Sequence, residues 1–256
     1  MIYGLYLSAT GVLANSYRQD VIANNLANSE TVGFKRDLAL FRERQTATGE
    51  RGLSARQHSD PRLENTGGGF LCAPTLVDAS QGELEQTGNA WDLCLQGEGF
   101  FAVNEGGKTR LTRNGQFMVN RAGNVVTAAG AHEVLDPTGK PIKLGSNAPV
   151  TINDAGLVTQ NEEVVARVGV FDVADRSKLR KLGATLMDPL DQKLTAPAAG
   201  KGPMVHSGFV ERSNVDPSIE LAQLMDAQRL LEANANMIRF QDQMLARLVN
   251  DVGKIG

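Results

Sequence analysis

Two kinds of apolar spacing divide the chain. Near its start, Ile2, Leu5, Tyr6, Ala9, Val12, Leu13, Ser16 and Tyr17 fall on one side at helical spacing. Asp20 breaks this stripe, and Val21, Ile22 and Leu26 point elsewhere, roughly with Leu7. A helix apolar on more than one side has to be covered by more than one partner. Asn24, Asn25 and Asn28 crowd its last turns. Asparagine amides compete for backbone hydrogen bonds, which suits helix ends better than interiors. Gly33 then stops the helix, and Phe34-Lys35-Arg36 opens a new segment.

The other end starts more sharply. Asp216 suits a helix cap and Pro217 the first helical position. A heptad follows. One seam holds Leu224, Leu231, Ile238, Leu245 and Val252; the other holds Leu221, Gln228, Ala235, Asp242 and Val249. Such a repeat predicts coiled-coil packing, in which Gln228 and Asp242 would lower stability but fix register.

Between the helices the period changes. Residues 46–69 are polar and end in Gly67-Gly68-Gly69, which reads as a linker or a partner-ordered loop. From about residue 93, short apolar runs alternate with turn signals such as Asn104-Glu105-Gly106-Gly107, Asn114-Gly115 and Asp154-Ala155-Gly156. Residues 164–173 read as the best single strand, and Thr195 to Pro203 as a second flexible stretch. The fold class expected is α+β: terminal helices paired as a coiled-coil-like layer, and a central, mainly antiparallel β domain. The segments are 1–45 (helix and following residues), 46–70 (linker), 71–205 (β domain) and 206–256 (C-terminal helix). Neither helix is stable alone on this reading. Pairing the first with the last leaves further apolar faces for other subunits.

Composition narrows the function. The 26 Lys and Arg against 29 Asp and Glu give a charge of −3, which argues against nucleic-acid binding through bulk positive charge and against a polybasic membrane anchor. Glycine, at 27 of 256 residues, supports many turns. Two cysteines, Cys72 and Cys94, make no disulfide framework. There is no apolar run of membrane-spanning length. The first basic residue is Arg18, so a signal peptide's basic start is missing and the plain reading is cytoplasmic.

No chemistry assembles. His58, His132 and His206 stand apart from any metal-ligand spacing. Gly67-Gly68-Gly69 and Gly97-Glu98-Gly99 lack the Lys-Ser or Lys-Thr of a phosphate loop, and there is no Gly-x-Ser-x-Gly elbow. Glu162-Glu163 sits in a polar turn. Phe34-Lys35-Arg36, with Arg42 and Arg44, is expected to be a solvated surface segment beside Asp37 and Glu43. No catalytic residue, metal site or cofactor is assigned. A secreted β-domain binding module is the alternative, and it requires a pocket with convergent polar groups.

Three stretches carry a resemblance. The first is Ser8-Ala9-Thr10-Gly11 through Asn24-Asn25-Leu26-Ala27-Asn28 to Thr31-x-Gly33-Phe34-Lys35-Arg36. The second is Thr87-Gly88-Asn89 with Asp92, then Gly97-x-Gly99-Phe100-Phe101 and Leu111-Thr112-Arg113-Asn114-Gly115-x-Phe117. The third is Gly208-Phe209-Val210-Glu211-x-Ser213-Asn214-Val215-Asp216-Pro217, with Ala227-Gln228-Arg229 and Glu232-Ala233-Asn234 after it. In this order they resemble the bacterial flagellar rod and hook family of axial proteins. Leu230-Leu231 stand where the family often has an aromatic, and the tail from Asp251 extends past the usual end. The length favours a rod protein, proximal or distal, over a hook protein.

The resemblance implies a non-enzymatic subunit of a hollow axial structure that transmits torque, with the paired helices as its inner wall. Its partners would be copies of itself, neighbouring rod and hook proteins and the flagellar type III export apparatus. No nucleic acid and no membrane insertion are implied. It would reside in the basal body, exported without a cleaved signal peptide, which reverses the cytoplasmic reading. Assembly residues at the start would be Ile2, Tyr6, Leu13, Tyr17, Asn24, Asn25, Leu26, Asn28, Gly33 and Phe34. Those at the end would be Asp216, Leu221, Leu224, Gln228, Leu231, Ile238 and Leu245. The β-domain motif would be Gly97, Gly99, Phe100, Phe101, Arg113, Gly115 and Phe117.

Overall fold

A computed structural model describes residues 2–43, 69–145, 149–161, 163–183, 185–197 and 202–252. Almost all of the expected linker, residues 198–201 of the second stretch, Arg44, His58 and Glu162 lie outside the described residues, as do the side chains of Ile2 and Val252.

Helix α1 spans Ile2–Ala27 and helix α2 Pro217–Val252. Between them come β1 (Asp37–Glu43), β2 (Phe70–Val77), β3 (Leu84–Gln86), β4 (Leu93–Gln96), β5 (Phe100–Glu105) and β6 (Lys108–Thr112). Next are β7 (Phe117–Val119), β8 (Val125–Thr127), β9 (Glu133–Val134), β10 (Val150–Ile152), β11 (Leu157–Gln160) and β12 (Glu163–Arg167). The series ends with β13 (Val170–Phe171), β14 (Arg180–Leu182), β15 (Leu186–Asp188), β16 (Met204–Ser207) and β17 (Phe209–Glu211). The protein is therefore α+β with a central antiparallel β domain. α2 begins at Pro217, directly after Asp216.

The chain forms two compact units, each assembled from separated segments. One contains residues 1–26, 37–75 and 217–256; the other contains 27–36 and 76–216. Sequence order suggested four consecutive segments, but contact gathers both chain ends into one unit and folds 27–36 into the β domain.

In the first unit α1 and α2 run antiparallel. A Cβ on Gly4 would stand 2.9 Å from Gln241 Nε2, and one on Gly11 would stand 2.9 Å from Asn234 Nδ2. Asn25 Nδ2 lies 3.5 Å from Glu220 Oε2. The strands β1 and β2 pair as a ribbon. Tyr17 ties this ribbon to α1: its hydroxyl donates to Ala73 O at 3.0 Å, and its ring meets Phe41 edge-on at 6.2 Å.

The second unit is built around β5. Phe101 and Val103 enter one apolar cluster with Leu93, Leu95, Phe117 and Val134; Phe100 and Ala102 enter another with Leu111, Leu135 and Met187. Successive strand residues face opposite sides, so a strand covered on both faces reads as a continuous apolar run. β5 pairs with β6, β9 and β13 in a sheet ordered β14-β15-β6-β5-β9-β8-β7. β10-β11-β12, β16-β4 and β17-β3 form smaller antiparallel sheets.

The single strand expected over 164–173 is two strands in two sheets. The break falls at Gly169, whose N–H donates to Leu135 O at 2.8 Å and whose carbonyl accepts from Ala102 N at 3.2 Å. A Cβ there would come within 2.5 Å of Leu135 O, so only glycine fits the crossing.

Candidate assembly faces and a buried ionic junction

The inner face of α2 is a heptad, but only half of it is the one expected. Leu224, Leu231, Ile238 and Leu245 are partly buried. The companion positions are Glu220, Ala227, Asn234 and Gln241, of which Glu220 and Ala227 are buried. The expected second seam lies one residue further round: Leu221 is 50% exposed, Val249 is 71% exposed, and Gln228 and Asp242 are exposed. The cause is the partner surface. α1 presents Gly4 and Gly11 there, and glycines leave room for the long polar chains of Gln241 and Asn234 rather than calling for leucine.

The long apolar stripe of α1 is also turned. Leu13 is 67% exposed, and Tyr6 and Ala9 are exposed as well, while Tyr17 is partly covered by the β1–β2 ribbon. On α2, Ile219, Leu230, Met237, Phe240, Met244 and Leu248 share a second face that is exposed, Phe240 to 61%. Each terminal helix thus has one face covered within its unit and an apolar face left open.

Asn25 links the end of α1 to the start of β1. It is buried, its Nδ2 donates to Asp37 O at 2.9 Å, and its Oδ1 accepts from Asp37 N at 2.9 Å. The side chain thereby imitates a paired strand residue at the start of β1 and reaches Glu220 as well. Asn28 Oδ1 accepts from Thr31 Oγ1 at 3.2 Å, in the turn that follows α1. Asn24 is exposed and Leu26 partly buried.

Parts of the three motif stretches, within residues 27–36, 87–117 and 208–216, meet in the second unit. Gly33 has φ +70°, and its N–H donates to Glu211 O at 2.7 Å. A Cβ there would stand 2.2 Å from Asn114 N, so glycine is required by both backbone angle and space. Phe34 is buried, with the Lys181 ammonium 3.6 Å from its ring centre. Phe100, Phe101 and Phe117 are core residues, the last two edge to face at 5.2 Å. Gly115 O accepts from Leu93 N at 2.9 Å. Gly97 and Gly99 take positive φ. Asp92 accepts from Thr87 Oγ1 at 2.7 Å and Asn89 Nδ2 at 3.1 Å, which accounts for the Thr-Gly-Asn and Asp pattern.

At the centre of this meeting lies a charge cluster. Glu211 is fully buried; one of its carboxylate oxygens pairs with the Lys35 ammonium and accepts from Gly82 N at 2.9 Å. The other accepts from Arg113 Nη1 at 3.0 Å. Lys35 also donates to Ser80 O at 2.6 Å, and Arg113 Nη2 to Gly97 O at 2.7 Å. The Arg113 guanidinium stands 5.3 Å from the Phe100 ring centre. Burial pulls the Lys35 ammonium below the ordinary lysine range, while Glu211 pushes the other way.

The expected solvated segment at 34–36 is therefore overturned at Phe34 and Lys35, which are 1% and 0% exposed. Neither Lys35 nor Glu211 was assigned a role from sequence. The available signal was a lone charge inside an apolar, glycine-bearing motif: Thr-x-Gly-Phe-Lys and Gly-Phe-Val-Glu.

Elsewhere the chemistry is sparse. No group of three or more His, Cys, Asp or Glu among the described residues could hold a metal. A cleft of about 340 Å³ is lined mainly by Pro137, Val168, Pro197, Pro203 and Val205, with Asp154 and Arg167. Arg167 Nε is turned to Ala155 O at 3.2 Å. Cys72 is an exposed free thiol and Cys94 a buried one. Among the described residues no helix is long and apolar enough to cross a membrane.

Residues 5–35 match the family model for flagella basal body rod protein, 94–160 that for the flagellar hook protein FlgE/F/G D1 domain, and 206–251 that for the flagellar basal body rod FlgEFG protein C-terminal region. The chain is similar to flagellar basal-body rod protein FlgF of Caulobacter vibrioides, 32% identical over 254 residues covering 98% of each chain. It is similar to FlgG of Bacillus subtilis, 32% identical over 265 residues covering 98% of this chain and 99% of that one. FlgF of Mesorhizobium japonicum is 30% identical over 237 residues, covering 92% and 91%.

Proposed function

The chain belongs to the family of flagellar basal-body rod proteins, and from that premise we propose that its two terminal helices are the layer through which it polymerises. It is a structural subunit of the bacterial flagellar basal body and not an enzyme. The observation that carries the proposal is the second, exposed apolar face of α2, from Leu230 to Leu248, which no described residue of its own unit covers. A helix with two apolar faces needs two partners. Here α1 is one, and a helix of a neighbouring subunit is the other.

On this reading α1 and α2 form a coiled-coil-like pair, joined by Leu224, Leu231, Ile238 and Leu245. Copies of the chain and adjoining rod and hook proteins then pack around these pairs to make a hollow, torque-bearing tube. The chain reaches its place through the flagellar type III apparatus, which is consistent with helices that gain most of their burial on assembly.

The test is a double substitution, Leu231→Asp with Ile238→Asp. Two carboxylates on the inner seam are expected to abolish swimming and rod completion in cells whose only copy is the variant. Normal swimming with complete rods would overturn the reading.

A further inference from the structure

The buried cluster in the β domain holds two cations against one carboxylate, and chain order sets when each arrives. Lys35 comes first, Arg113 second and Glu211 last. All three are at least nine-tenths buried. Lys35 lies in the segment that follows α1 by sequence, and Glu211 in the segment that leads to α2. The two segments are laced together around the cluster: Gly33 N donates to Glu211 O at 2.7 Å and Arg36 N to Asn214 Oδ1 at 2.7 Å.

We propose that Glu211 is an ionic clasp that makes closure of the β domain conditional on docking of residues 208–216. Until that segment docks, the closed domain would contain Lys35 and Arg113 side by side with no carboxylate paired to either, Asp78 acting on Lys35 only through the longer-range field. Two buried like charges without a partner are far costlier than an open domain with both hydrated. Once Glu211 arrives, its two oxygens serve the two cations separately, and Gly82 N–H holds the carboxylate in place. The clasp therefore joins the incoming and outgoing segments only in a chain that has been delivered past residue 211. This property belongs to the single molecule and does not depend on polymerisation.

The charge count predicts an asymmetry that ordinary packing would not. Removing Lys35 leaves Glu211 opposite Arg113, a neutral pair that still has the Gly82 donor. Removing the charge of Glu211 leaves two buried cations. Removing both leaves one cation, Arg113, held by Gly97 O and Leu95 O.

Urea unfolding of the full chain, followed by the fluorescence of its one tryptophan, tests this; Trp91 packs on the core of the same unit. Glu211→Gln is expected to lower the folded-to-unfolded ratio roughly a hundred- to a thousand-fold, and Lys35→Met by less than about ten-fold. The double variant Lys35→Met/Glu211→Gln is expected to recover most of the loss. Equal losses that add in the double variant would overturn the clasp. If Glu211→Gln does not fold at all, the double variant still decides: refolding supports the clasp, and failure to refold while Lys35→Met folds overturns it.

Discussion

Gly115 has a role that no other residue type fills. A Cβ on it would come within 1.6 Å of Leu93 O, so the backbone of the Asn114-Gly115 turn lies directly on β4. Nearby Cys94 shows how far such packing changes chemistry. It is fully buried, and burial pushes its thiol from an ordinary value of 9.0 up to about 11. At pH 8 a thiol reagent should therefore modify Cys72 alone in the native chain, and Cys94 only after unfolding, by mass spectrometry of the labelled peptides. The pH dependence has a definite sign. The folded state holds the Cys94 proton more tightly than the unfolded state, so this group's contribution to stability is full below pH 9. It is lost as the pH rises from 9 to about 11. Comparing the alkaline limbs of Cys94→Ala and the parent chain checks it.

At the scale of elements, α2 is a helix with two seams. The inner one alternates Leu224, Leu231, Ile238 and Leu245 with Glu220, Ala227, Asn234 and Gln241. The outer one carries Met237, Phe240 and Met244, and methionine adapts to differently shaped neighbours. Met237→Glu with Phe240→Glu should leave the thermal midpoint of the isolated chain within about 2 °C, since exposed substitutions rarely cost more than ~0.5 kcal/mol. The same variant is expected to fail to enter the rod. A fall of many degrees would mean that the outer face is covered within the chain itself. The two helices and the start of α2 were legible because periodicity and caps depend only on residue type and spacing. The second seam was not, because its occupants are set by the glycines of α1, more than two hundred residues away in sequence.

For the whole molecule the notable fact is that both units are discontinuous. Residues 27–36 belong with 76–216, while 37–75 belong with the two helices. Arg51, Arg56 and Arg62 lie in the polar stretch between β1 and β2. A chain cut by trypsin at any of these arginines is expected to give two fragments on a denaturing gel that still elute as one species on size exclusion. The shorter fragment is retained by Gly33 on Glu211, by Lys35 in the ionic cluster and by Arg36 on Asn214. Fragments that separate without denaturant would show that these contacts are weaker than the structure implies.

The sequence by itself determined the helix–β–helix order, the apolar face of each long element, the glycine turns and the family motifs. These are local properties: a period, a cap or a backbone angle is written within a few neighbouring residues. Only the tertiary structure decided that Lys35 is buried rather than solvated, that Glu211 serves two cations, and that the broadest stripe of α1 faces away from α2. Each of those outcomes depends on a partner far along the chain. Burial and pairing of a charge are settled by what the fold brings beside it, and spacing along the chain carries no record of that.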